Sequence, residues 1–185
     1  MRIIAGSAGS LPLKVPKTLT RPTTDRVREA MFSSLGNRVI GAAVLDLFAG
    51  SGSLGIEALS RGADSCVFVE SSTTAAPIIE ENLKKAQLRN GTVQRRDIRS
   101  FLSAGSRPAQ FDLIFADPPY ARDEATLAQL TQLLTSSLCA AALKPSGILV
   151  LETFASVPIP ETPLWKVAKE KIYGNTRVSY LSASE

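Results

Sequence analysis

Leu45-Asp46-Leu47-Phe48-Ala49-Gly50-Ser51-Gly52-Ser53-Leu54-Gly55 runs from an apolar stretch into small residues and then into a helical pattern. That order, strand then glycine turn then helix, decides the fold class. Gly50, Gly52 and Gly55 satisfy G-x-G-x-x-G, and Glu70 ends the next strand-like run 20 residues after Gly50. The glycines permit a tight turn and close backbone approach to a ligand, and a carboxylate at the end of the second strand can accept bonds from ribose hydroxyls. NAD and S-adenosylmethionine suit this arrangement equally. Glycines serving only the packing of helix on sheet are the structural alternative.

Outward from this turn the chain alternates. Val44 to Phe48, Cys66 to Glu70, Thr92 to Gln94, Phe111 to Ala116 and Ile148 to Leu151 read as strands. Helical patterns lie between them, around Leu54 to Leu59, Ala75 to Ala86, Ile98 to Leu102 and Glu124 to Leu143. Short apolar strands joined by such helices predict an α/β fold, a parallel sheet covered on both faces. Trp165 to Tyr173 and Arg177 to Leu181, joined by Gly174-Asn175-Thr176, predict a closing antiparallel hairpin. Upstream, Arg2 to Ala5 and Leu13 to Val15 read as a small hairpin around Gly6-Ser7-Ala8-Gly9-Ser10. Thr23 or Thr24 then caps a helix carrying Val27, Ala30, Met31 and Leu35, with Gly36 just past its end; Arg26, Arg28 and Glu29 interleave these positions and can reach away from the core. Residues 1–36 are therefore expected to form a hairpin-and-helix extension and residues 37–185 the main domain.

A chain of 185 residues that is 44% hydrophobic suits one domain with a substantial core. No run approaches the roughly 20 apolar residues of a membrane span, and the N-terminus lacks the apolar core of a signal peptide. A cytoplasmic protein is the expectation. The sequence has no histidine, which removes His-based acid/base catalysis, Ser-His triads and His-containing zinc sites. No metal is expected. Cys66 and Cys139 are far apart and are expected to be buried small hydrophobes. Net charge is +4, but residues 1–40 carry an excess of five positive charges, so the rest is about one negative. Arg2, Lys14, Arg21 and Arg26 are the candidate contacts to a polyanion, against the alternative of a solvated charged face.

A second stretch concentrates polar chemistry: Phe111 to Ala116 ends in Asp117-Pro118-Pro119-Tyr120. Consecutive prolines lack N–H groups and stop a sheet ladder. The Asp117 carboxylate, the Pro118 carbonyl and the Tyr120 ring are then held on a stiff turn at the carboxyl end of a strand, where open parallel sheets bind ligands. A flat, hydrogen-bonding substrate fits such a turn, and a rigid strand exit is the alternative. Two carboxylates favour the methyl donor over the dinucleotide. Asp46 can face the cationic amino-acid end of the donor, and Asp97 can accept from the adenine amine, unless it caps the helix from Ile98.

The glycine loop, Glu70 and Asp117-Pro118-Pro119-Tyr120 together resemble class I, Rossmann-like methyltransferases of amino nitrogens. Arg21-Pro22-Thr23-Thr24-Asp25-Arg26-Val27-Arg28-Glu29-Ala30-Met31-Phe32, Leu47 to Gly52 and Ile56 to Arg61 are more specifically similar to the RsmD family, bacterial enzymes that methylate N2 of a guanine in 16S ribosomal RNA. The resemblance covers nearly the whole chain. It implies a mostly parallel seven-stranded sheet, S-adenosylmethionine as cofactor, and 16S rRNA or a partly assembled small subunit as partner; a monomer is the expectation because nothing in the sequence suggests otherwise. It also implies donor contacts from Asp46, Phe48, Gly50, Gly52, Glu70, Asp97 and Thr24, and catalysis by Asp117, Pro118, Pro119 and Tyr120. One departure stands out: where the family carries Arg-Gly-Arg-like residues in its N-terminal hairpin, this chain has Gly9-Ser10-Leu11, two phosphate contacts fewer.

In this reading Asp117 and the Pro118 carbonyl each accept one N–H of the amine, whose lone pair then points at the donor methyl, while Tyr120 stacks on the base. An adenine-N6 methyltransferase acting on DNA or RNA is the nearest alternative. A dinucleotide-dependent oxidoreductase explains the glycine loop but leaves Asp-Pro-Pro-Tyr without a role. A non-catalytic RNA-binding module would keep the fold alone.

Overall fold

A computed structural model describes residues 1–16, 23–104, 109–118 and 124–184. Its helices and strands follow in the order α1 (Asp25–Leu35), β1 (Ala43–Leu47), α2 (Ser53–Ser60), β2 (Ser65–Val69), α3 (Ala76–Lys85), β3 (Gly91–Gln94), α4 (Ile98–Ser103), β4 (Phe111–Ala116), α5 (Glu124–Thr135), α6 (Ser137–Ala142), β5 (Leu143–Phe154), β6 (Trp165–Tyr173) and β7 (Thr176–Ala183). One seven-stranded sheet has the order β3-β2-β1-β4-β5-β7-β6. β1 pairs in parallel with β2 and β4, β2 with β3 and β4 with β5, whereas β7 is antiparallel to both β5 and β6. The expected α/β, mostly parallel architecture with a closing hairpin is the observed one.

Alternation along the strands divides the core. Val44, Phe68, Leu113, Phe115, Val150, Val178 and Tyr180 face α1, α2 and α3 through Met31, Phe32, Ile56 and Ile79. Leu45, Leu47, Val69, Ile114, Leu149, Leu151 and Leu181 face α4, α5 and α6 through Leu102, Leu130, Leu134 and Cys139. Strands buried on both faces need the near-continuous apolar runs seen in the sequence. Each fully buried large side chain contributes about 1.5–3 kcal/mol. Cys66 and Cys139 are both free and buried, in keeping with their expected role as packing residues.

The N-terminal segment shares this core. Ile3, Leu13, Val27 and Leu35 pack in the same cluster as Val44 and Phe68, so packing is continuous across residue 36. The hairpin is reduced to one bridge, Arg2 to Pro12, with Ile3 N–H donating to Leu11 O at 2.9 Å. Its second arm therefore begins at the loop residues rather than at Leu13. What holds it down is α2: Glu57 accepts from Ile4 N at 2.7 Å and Ala5 N at 3.1 Å, and Ser60 O accepts from Ser7 N at 2.7 Å.

Two expectations are corrected here. Arg28 is not directed outward but is fully buried: it donates to the Arg2 carbonyl and, at 3.0 Å, to Asp25 Oδ1, with Glu57 and Asp25 as its electrostatic partners. The helical pattern from Glu124 to Leu143 is two helices, because Ser136 turns extended (φ −82°, ψ 130°) and its side chain caps α6 by accepting from Leu138 N.

Candidate active site

The glycine turn is built by backbone geometry and two carboxylates. After β1 the chain passes through left-handed conformations at Phe48, Gly50 and Gly52, with φ of 58°, 56° and 77°. Phe48 is a bulky residue in a region that favours glycine, a strain that clusters at functional sites. Glu70 fastens the turn: Oε2 accepts from Gly50 N and Oε1 from Ser72 N, both at 2.8 Å. Asp46 lies beneath it, 1% exposed, with Oδ2 accepting from Gly55 N at 2.9 Å. Gly52, the residue preceding α2, supplies no side-chain cap. Asp46 thus serves as a cap reaching across from β1. Burial holds the Asp46 carboxyl well above the usual carboxylate range, the Gly55 bond opposes this, and Asp117 and Glu70 add to it.

Packing explains two of the glycines. A Cβ on Gly55 would lie 2.3 Å from Phe68 Cε1 and 2.5 Å from Cys66 Sγ, and one on Gly52 would lie 2.9 Å from Ile79 Cγ2. Both positions set α2 and its entry turn directly on the sheet.

At the end of β4, Asp117 is placed by the β1–β4 and β4–β5 registers, in which Ala116 is level with Leu47 and Leu151. Thr23 Oγ1, just before α1, lies 2.7 Å from Asp117 Oδ2 and 3.0 Å from Glu152 Oε2 on β5. The other oxygen, Asp117 Oδ1, is buried and has no hydrogen-bond partner among the described residues. Burial pushes the Asp117 carboxyl up to about 6, and the Thr23 hydroxyl pulls it back. Pro118 is buried beside it. Pro119 and Tyr120 lie outside the described residues.

One cavity of about 520 Å³ joins the glycine turn to this corner. Phe48, Gly50, Glu70, Asp97 and Asp117 line it, so the structure brings five of the expected site residues around one space. Its size suits a small-molecule site. Asp46 and Gly52 stand behind the lining. Asp97 caps α4, with Oδ1 accepting from Ser100 N at 3.1 Å. Thr24 caps α1, its side chain accepting from Val27 N at 3.3 Å, and is not part of the cavity wall. Of the basic residues, Arg26 is exposed on α1, Arg2 pairs with Asp25 at 3.3 Å and Lys14 pairs with Glu81 at 2.6 Å. Arg21 lies outside the described residues.

Sequence reasoning missed the far wall, where Gln129, Gln132 and Ser136 of α5 and its junction with α6 face the cavity. It also missed Thr23 as more than a cap, and Glu152 altogether. A signal for Glu152 existed: it is the first charged residue after the apolar run of β5, at the level where β4 yields Asp117.

Known proteins share this sequence and fold. A family profile described as "Conserved hypothetical protein 95" matches residues 1–182. "Putative rRNA methyltransferase YlbH" of Bacillus subtilis (strain 168) is 41% identical over 97% of this chain and 97% of that protein. "Ribosomal RNA small subunit methyltransferase D" of Escherichia coli (strain K12) is 34% identical over 94% of this chain and 85% of that protein. Among solved structures, a hypothetical protein of Thermus thermophilus superposes with a TM-score of 0.82 at 31% identity, covering 99% of both chains.

Proposed function

The chain belongs to the family described as Conserved hypothetical protein 95, and from that premise we propose that it transfers a methyl group from S-adenosylmethionine to the exocyclic N2 amine of a guanine in small-subunit (16S) ribosomal RNA. It is an RNA methyltransferase on a class I fold. The observation that carries the amine is Asp117 Oδ1, a buried acceptor without a partner among the described residues, on a residue that lines the same cavity as Glu70. Buried polar atoms are normally paired, and an orphan in a cleft implies a ligand donor.

The residues present fit the donor. A carboxylate offers about four lone-pair sites, of which Glu70 uses two on Gly50 N and Ser72 N, leaving two for a pair of ribose hydroxyls. Phe48 offers an apolar surface at the turn, and Asp97, also lining the cavity, an acceptor for an amino group. Asp46, with its carboxylate on Gly55 N, fixes the turn from beneath. When bound, S-adenosylmethionine supplies an electrophilic sulfonium methyl. Asp117 Oδ1 accepts one N–H of the amine, turning the nitrogen lone pair toward the cofactor side of the cavity, and takes a proton as that nitrogen becomes cationic. A flipped base is held beside Pro118, with Tyr120, two residues on in sequence, as its stacking partner.

The RNA approaches over the extension formed by residues 1–36. Arg26 is exposed and available to phosphate, and the exposed pairs Arg2–Asp25 and Lys14–Glu81 are each worth about 0–1 kcal/mol, little enough for phosphate to displace the acids. Arg21 completes the set. The protein acts as a monomer in the cytoplasm on 16S rRNA or a partly assembled small subunit. No helix among the described residues is long and apolar enough to cross a membrane.

The test is incubation with methyl-labelled donor and three substrates: small subunits, their protein-free RNA, and DNA. Digestion to nucleosides is expected to release labelled N2-methylguanosine from an RNA sample. Label in N6-methyladenine, or none in any sample, overturns the reading.

A further inference from the structure

Thr23 has one hydroxyl proton and two acidic neighbours. Its Oγ1 lies 2.7 Å from Asp117 Oδ2 and 3.0 Å from Glu152 Oε2, and Thr23 and Glu152 are 5% and 1% exposed. A hydroxyl donates one hydrogen bond at a time. If it donates to Asp117, the Glu152 contact is satisfied only by a proton on Glu152 that donates to Oγ1. If it donates to Glu152, Asp117 must carry that proton. With both carboxylates ionised, one contact is oxygen against oxygen with no hydrogen between, a strained arrangement where water cannot enter freely.

The two outcomes differ for a substrate. An ionised Asp117 anchored through Oδ2 presents Oδ1 as a pure acceptor. A protonated Asp117 can present a donor instead, and an amine N–H then loses its partner. Which state prevails depends on the charges around Asp117. Among the described residues these include Glu152 of β5, which shares the Thr23 hydroxyl, and Asp46 of β1, both acidic, with the Thr23 hydroxyl as the opposing influence.

We propose that Thr23 and Glu152 are positioning residues of the transfer site: the Thr23 hydroxyl anchors Asp117 Oδ2 so that Oδ1 meets the substrate amine, and Glu152 competes for that hydroxyl proton. Together they set the pH below which Asp117 stops accepting. The proposal rests on Asp117 as the amine acceptor. It adds two residues with opposite actions. Thr23 favours the ionised carboxylate, because its hydrogen bond is made to the charged form, and Glu152 disfavours it, because a like charge opposes ionisation.

The experiment reads Asp117 in two ways. Carboxyl carbon-13 titration of the unliganded protein, with Asp117→Asn identifying the signal, gives its midpoint without any substrate; the parent is expected near 6. The acid limb of kcat/KM for transfer to small-subunit RNA gives the same quantity during turnover. Thr23→Val is expected to move both upward and Glu152→Gln to move both downward, each by about one pH unit, with Thr23→Ser restoring the parent value. Thr23→Ala replaces the valine variant, and Glu152→Ala the glutamine variant, if either fails to fold by circular dichroism. Midpoints that stay at the parent value, or that move in the same direction, overturn the proposal. Opposite shifts by carbon-13 in a protein that methylates no nucleic acid uphold the carboxylate pair and reject the proposed reaction instead.

Discussion

Replacing Glu57 by Gln should loosen the whole N-terminal segment, and the structure gives the size of the effect. The Glu57 side chain is completely buried and accepts from Ile4 N, Ala5 N and, at 2.6 Å, Arg61 Nε. It also counters the buried Arg28, whose Nε and Nη1 have no hydrogen-bond partner among the described residues. Glutamine keeps the shape and removes the charge. Its amide nitrogen must also face one of the three donors. Breaking a buried pair from one side costs about 3–5 kcal/mol because the remaining charge is left uncompensated. For a domain of this size each kcal/mol lowers Tm by about 2–4 °C, so a fall of roughly 10 °C is expected. Thermal unfolding followed by far-ultraviolet circular dichroism measures it, and hydrogen exchange locates it, with the Ile4 and Ala5 amides losing protection first. A double-mutant cycle with Arg61→Gln separates the pair from the backbone bonds. Arg61 also lies 4.9 Å from the centroid of the Phe32 ring, so its single variant loses a cation–π contact as well. A Tm for Glu57→Gln within about 2 °C of the parent, with unchanged exchange at residues 4 and 5, would refute the reasoning.

Three further outcomes are expected. Asp117→Ala should leave S-adenosylmethionine affinity near normal by titration calorimetry while slowing transfer by about 10²–10³-fold; lost binding with unchanged transfer would reverse the assignment. Glu70→Ala should show the opposite balance, because it removes both the proposed ribose acceptor and the bond that fastens Gly50 N, and unchanged calorimetric affinity would take Glu70 out of the site. Gly55→Ala should destabilise by about 1–3 kcal/mol through overpacking against Phe68 and Cys66; a urea midpoint equal to the parent's would show that α2 can shift away from the sheet.

The alternation of apolar runs was legible because strands covered on both faces tolerate few polar residues, and the glycine turn because its backbone conformations favour glycine. The helix break at Ser136 was not legible, since Leu and Ala continue through it at helical spacing and the break depends on a side-chain cap. Arg28 read as a surface residue by type. Its burial depends on Asp25, one turn away on α1, together with Arg2 and Glu57, which are distant in sequence. The same limit applied to the site. Glu70 and Asp117 stand at the ends of apolar runs and mark themselves. The pairing of Thr23 with Glu152 joins residues 129 positions apart, and only the β4–β5 register and the placement of α1 bring them together.

The fastening of residues 1–16 to α2 and α3 also has a consequence during synthesis. Ile3 is translated more than fifty residues ahead of Glu57 and Ser60, and Leu13 nearly seventy ahead of Asn82, which accepts from Lys14 N at 2.8 Å and donates to Lys14 O at 2.9 Å. At roughly 5–20 residues per second, the segment waits on the order of 3–14 s for its partners. Through that interval Ile3 and Leu13 are exposed apolar groups on a nascent chain. Chaperone capture, or a pause in translation before residue 82, would therefore act first on this segment, and a core that closed without it would hold Arg28 with no Arg2 carbonyl to accept its hydrogen bond.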